Sequence, residues 1–178
     1  MKNLTGFTLI ELLTLISIVA ILAAIALPNF SRTIKSERDT SQINTLLDGL
    51  TMARSEAIKY GKPVTICPGN TNACTDANWA DGWIVFYVSP PPGATTSTIR
   101  VFPAIGGGNT LTAAPVATTA ITYTSTGLTT LAANVTFTLC DTRRQNYGRS
   151  MNLTITGSAV VAAKVGYKVD GTTPLSAC

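Results

Sequence analysis

The chain has 178 residues, enough for one domain and an appendage. Apolar residues make up 46% and charged residues 12%, about half the usual charged share of a soluble domain. Histidine is absent, which excludes Ser-His-Asp and Cys-His hydrolases, the usual zinc enzymes and any mechanism that needs an imidazole.

In chain order, the first element is the apolar run Phe7–Leu27, 21 residues whose one ionisable side chain is Glu11. As a helix it spans roughly 30 Å, the thickness of a bilayer core. A buried core helix is seldom apolar on every face. A cleaved secretory signal has a shorter apolar region and a small-residue cleavage site. The run therefore predicts a retained membrane helix. Glu11 is expensive there, at about 2.5 kcal/mol or more, unless a partner cation is supplied. No basic residue lies between Lys2 and Arg32, so either the carboxyl is protonated near the interface, or its partner is another subunit's cation or a new α-amine made by cutting just before the run.

Those residues carry a resemblance. Gly6-Phe7-Thr8-Leu9-Ile10-Glu11-Leu12 resembles the class III signal of type IV pilins and type II secretion pseudopilins. The resemblance implies cleavage by a prepilin peptidase between Gly6 and Phe7 and N-methylation of Phe7. It also implies pairing of Glu11 with a neighbouring subunit's terminal amine during assembly. Residues 1–6 are then a leader, 7–28 a transmembrane and assembly helix, 29–60 the amphipathic half of that helix, and 61–178 an exported β-rich domain. Counting flanking basic residues points the other way, with Lys2 before the span and Arg32, Lys35 and Arg38 after it. The cysteines and the resemblance outweigh that count.

Pro28 removes a helical hydrogen bond and predicts a kink or local melting; in pilins a proline here accompanies unwinding in the filament. Beyond it, Ile43, Leu46, Leu47, Leu50, Ala53 and Ala57 recur at spacings of three and four and form one apolar stripe. Tyr60-Gly61-Lys62-Pro63 ends the pattern. The segment Met52-Ala53-Arg54-Ser55-Glu56-Ala57 resembles a run typical of the GspH/FimT family of minor pilins and pseudopilins.

From Pro63 the composition turns to threonine, valine, glycine and asparagine. Strands are predicted at 64–67, 83–88, 98–102, 120–124, 135–140, 151–156 and 160–169, and 103–119 reads as a flexible loop. No fixed-period repeat is evident. The fold class is α+β: a long N-terminal helix, membrane half plus amphipathic half, packed on an antiparallel sheet or small sandwich.

The four cysteines, Cys67, Cys74, Cys140 and Cys178, read as disulfides in an exported domain. Three pairings are possible; Cys67–Cys74 and Cys140–Cys178 are expected. A C-terminal cysteine joined to an upstream one also resembles the disulfide-bounded end of many type IV pilins. No metal or cofactor is expected. The glycines at 106–108 lack the lysine and strand–helix context of a phosphate loop.

Between Cys140 and Cys178 lie Arg143, Arg144, Arg149, Lys164 and Lys168 against two acids, with Tyr147 among the arginines. Such a cluster suits phosphates and a stacked base; it also suits a solvated loop. Cys140-Asp141-Thr142-Arg143 with Tyr147-Gly148-Arg149 resembles the CDxR…GR stretch of GspH/FimT proteins, whose DNA-binding members use basic residues of this region. The second Gly-Arg of that pattern is replaced here by Gly157-Ser158.

The resemblance implies a minor type IV pilin, a structural subunit of a tip or initiation complex supporting pilus assembly, twitching or DNA uptake, and not an enzyme. The alternatives are a double-stranded DNA receptor in natural transformation and a type II secretion minor pseudopilin. Implied partners are other major and minor pilins, the prepilin peptidase/methyltransferase and the inner membrane. Implied locations are a single-pass inner-membrane precursor with a periplasmic C-terminal domain, then an extracellular pilus.

Overall fold

The computed structural model describes residues 7–69, 74, 78–88, 96–115, 119–143, 145–175 and 178. Its first element is α1, Leu9–Tyr60. Thr8 starts it with a capping box: the Glu11 carboxylate accepts from the Thr8 backbone N–H and hydroxyl, both at 3.1 Å, and the Glu11 N–H donates to Thr8 Oγ1 at 3.3 Å. The helix continues without a break through Pro28. The local melting expected there is absent, and Pro28 does not end the helix. Gly61, at φ 61°, ends it with its N–H on the carbonyl of Ile58.

The chain divides into two units, residues 1–37 and Arg38–Cys178. In the first unit the described residues are helical from Leu9 onwards and almost all exposed. An 18-residue window averages 2.7 in hydropathy with none of it buried, long and apolar enough to cross a membrane.

In the second unit, the rest of α1 meets eight strands. β1 (Val64–Pro68), β2 (Trp83–Val88), β3 (Thr96–Phe102) and β5 (Ile121–Tyr123) form one antiparallel sheet in the order β3-β2-β1-β5. β4 (Thr110–Ala114), β6 (Val135–Cys140), β7 (Arg149–Leu153) and β8 (Ala159–Val161) form another, in the order β4-β6-β7-β8. The predicted stripe is the helical contribution to the core: Ile43, Leu46, Leu50, Ala53 and Ala57 are buried and Leu47 is partly so. They share that core with Ile66, Trp79, Trp83, Tyr123, Phe137 and Met151. Gly49 sits in the helix because the indole of Trp83 leaves no room for a Cβ, which would lie 2.8 Å from Nε1.

Three expectations need correction. The stretch 103–119 is not simply a loop, because it contains β4, paired along its length with β6. Thr110-Leu111-Thr112 alternates as a strand should, with Leu111 buried, but glycines before it and Pro115 after it mask the pattern. The predicted strand 151–156 is shifted to Arg149–Leu153. The last predicted strand shrinks to Ala159–Val161, because the following segment is pinned instead by single bonds, Gly166 N–H to Gly148 O and Leu175 N–H to Gly166 O, both at 2.9 Å.

Two turns in this unit are copies of one another. Thr124-Ser125-Thr126-Gly127 follows β5, and Thr154-Ile155-Thr156-Gly157 follows β7, thirty positions later. In each, the first threonine's N–H reaches the carbonyl four residues on, at 2.8 Å to Leu128 and 2.9 Å to Ser158. In each, the glycine N–H closes on that threonine's carbonyl at 2.9 Å, and the two threonine hydroxyls bond each other at 2.9 and 2.7 Å. Both glycines have positive φ, 79° and 81°, so a threonine or alanine in their place is strained. The turns also touch: a Cβ on Gly157 would collide with the carbonyl oxygen of Gly127.

Candidate assembly and binding sites

The N-terminal site is the head of α1. Phe7 is 81% exposed. Glu11 faces it across one helical turn, held by Thr8 as described. Residues 1–6, including Gly6, lie outside the described residues. The TxxE signature of the cap, Thr8 to Glu11, is visible in the sequence and gives the Glu11 carboxylate a partner within its own chain.

The four cysteines pair as Cys67–Cys74 and Cys140–Cys178, each with Cα atoms 5.5 Å apart. The first closes a short loop beyond β1. The second ties Cys178 to the end of β6, immediately before the arginine cluster.

That cluster is organised around α1. Arg143 Nη2 donates to Asp39 Oδ2 at 2.8 Å. Its Nε and backbone N–H both donate to Asp141, the latter at 2.8 Å. Its guanidinium lies over the Tyr147 ring, 4.6 Å from the centroid. The side chains of both acids are only 3% exposed. Asp39 also accepts from Asn109 Nδ2 at 2.8 Å; the same amide reaches Gln42 Oε1 at 2.6 Å, and Gln42 Nε2 donates to Gly106 O at 2.8 Å. Arg149 Nη2 donates to Thr40 at 2.7 Å. One helical stretch, 39–42, thus grips the entry to β4 and the β6–β7 connection.

Burial raises the Asp39 carboxyl above its ordinary range, helped by the nearby Asp141 charge; the bonds from Asn109 and Arg143 pull it back only in part. Asp39 is not among the residues the sequence marks out. Nothing in the local pattern marks it as buried, because its partners arrive from seventy and more positions away.

Of the proposed nucleic-acid contacts, Arg143 and Arg149 are therefore bonded to α1. Lys164 and Lys168 are exposed on the segment after β8, Lys164 with its ammonium 3.5 Å from the Tyr167 ring centroid. Arg144 lies outside the described residues. Among the described residues no group of carboxylates and cysteines is arranged to hold a metal.

A long helix with an exposed apolar first half, its second half packed on antiparallel sheets and the C-terminal segment closed by a disulfide, defines the type IV pilin and pseudopilin class. The GspH family model, described as type II transport protein GspH, matches residues 42–159, and the chain belongs to that family. The chain is similar in fold to the type IV minor pilin FimU of Pseudomonas aeruginosa. In one crystal form the identity is 19%, the TM-score 0.56 and the coverage 74% of this chain and 91% of that one. In another the identity is 21%, the TM-score 0.54 and the coverage 68% and 90%. It is also 55% identical over 40 residues to the Thermus thermophilus type IV wide pilus major component PilA4, a stretch spanning 22% of this chain and 30% of that relative.

Proposed function

We propose that the chain is a minor type IV pilin, made as an inner-membrane precursor whose C-terminal domain faces the periplasm. Residues 1–6 are its leader. The prepilin peptidase cuts between Gly6 and Phe7, Phe7 is methylated, and the subunit enters an extracellular pilus beside other major and minor pilins. Glu11 meets a neighbour's terminal amine there, and Pro28 is the point at which α1 unwinds in the filament. The chain does its work as a structural subunit.

The observation that carries this reading is the pairing of two materials in one helix. Its head is uniformly apolar and unburied, with one carboxylate. Its tail is the core helix of a GspH-family unit. A helix of that kind is stable only with its head in lipid or among similar helices. The test is Gly6→Val in the full chain. The leader should be retained, read as an unshifted mass, and the subunit should vanish from sheared filaments. Normal cutting of the variant would refute the processing site. A secretion pseudopilus is the alternative host filament, in keeping with the family's description. Double-stranded DNA binding draws less support, because Arg143 and Arg149 are bonded within the subunit. Among the described residues, that leaves Lys164 and Lys168 as its exposed cations.

A further inference from the structure

The twin turns lie against the last turns of α1 and form a surface with an unusual charge balance. Arg54 Nη1 donates to the Gly157 carbonyl at 3.3 Å, and a Cβ on Gly127 would stand 2.8 Å from Ile58 and 3.1 Å from Arg54. Thr129 N–H bonds the Ile155 carbonyl at 3.1 Å, so the two turns stand side by side. Three large apolar side chains are exposed here: Ile58 at 53%, Leu128 at 49% and Ile155 at 47%. Neither turn segment, 119–134 or 150–163, contains a charged residue.

Into this apolar ground the helix places one part-buried guanidinium. Among the described residues Arg54 is paired with no carboxylate; the nearby Glu56 is taken by Lys59 at 3.2 Å. Below Arg54 lies the Tyr123 hydroxyl, fully buried and without a hydrogen-bond partner among the described residues. A half-desolvated cation on an apolar surface calls for an anion that arrives with apolar surface of its own. Lys59 and Lys62, exposed at the end of α1, add to the positive potential that would steer it.

We propose that Arg54, set beside Ile58 and against the two turns that carry Leu128 and Ile155, is the docking face for a neighbouring filament subunit that presents an Asp or Glu carboxylate within an apolar patch. The proposal rests on the reading of the chain as a filament subunit and names the chemistry of its contact. It also gives the Ala-Arg-Ser-Glu-Ala run a division of labour. Ala53 and Ala57 are buried in the core, while Arg54 faces the turns.

The experiment places a photo-crosslinking phenylalanine analogue at Leu128 in the full chain in the producing cell, with the exposed Val101 as control position. The expected product is a crosslink to another pilin, with an acidic residue beside the linked peptide's site. Arg54→Gln, which can keep the bond to the Gly157 carbonyl but not the charge, should weaken the association about 30-fold; Arg54→Lys should retain most of it. Protection of both disulfides from reductant shows that each variant is folded. A subunit that enters sheared filaments but gives no Leu128 crosslink, or one indifferent to Arg54→Gln, overturns the docking face and leaves the filament reading standing. Absence of the unsubstituted chain from filaments would remove the filament reading itself.

Discussion

Replacing Arg143 with alanine tests whether the cluster beside α1 is a structural clasp. In the native chain the guanidinium, 13% exposed, sits between two carboxylates that are each 3% exposed. Its removal leaves Asp39 with Asn109 and leaves Asp141 close enough to repel it. Breaking a buried pair from one side costs about 3–5 kcal/mol, because the orphaned charge stays buried. The penalty should depend on pH, with a definite sign. The Asp39 carboxyl in the folded chain already lies above its unfolded value of 3.8. Its contribution to stability is therefore fullest below that value and is lost as pH rises through the folded pKa. Without Arg143 the folded pKa climbs further and the loss deepens. The Arg143→Ala penalty should be near 3–5 kcal/mol at about pH 7 and smaller at about pH 4, because protonation of Asp39 as pH falls removes the orphaned charge. Urea unfolding of the full chain in detergent micelles, followed by the fluorescence of the buried Trp79 and Trp83, measures both. Equal penalties at the two pH values, or less than about 1 kcal/mol at neutral pH, would refute the clasp.

Three other substitutions probe the packing and the disulfides. Gly49→Ala normally gains helix propensity of about 1 kcal/mol, but the new methyl meets the Trp83 indole at 2.8 Å, so a net loss of about 1–3 kcal/mol in the same urea assay is expected. Cys178→Ser opens a loop with a sequence separation of 38 and Cys74→Ser one of 7; the chain-entropy argument gives losses of about 4 and 2 kcal/mol respectively. A larger effect at Cys74 would contradict that ranking.

The parts of this fold legible in the sequence are those whose physics is local. The α1 stripe from Ile43 to Ala57 is written as periodicity and the strand 83–88 as an unbroken β-prone apolar run, and both stand as read. β4 escaped because a strand of threonine and alanine between glycines and a proline has a single strong apolar residue, Leu111, to declare it. The Thr-x-Thr-Gly pair sets no fixed period because it occurs only twice. The clasp was the least legible element. Arg143 stands out in the sequence by its charge, but whether a cation faces a ligand or a buried acid depends on Asp39, brought to it by the fold from 104 positions away.

The twin turns separate what is fixed from what is free. Their glycines admit no side chain, their threonine hydroxyls are spent on one another, and their backbones abut. The outward positions, Leu128 and Ile155, carry none of that scaffold in their side chains. Such a mount lets a lineage rewrite the two tips without renegotiating the fold beneath them. Divergence among related subunits should then concentrate at those tips and spare the turns that hold them.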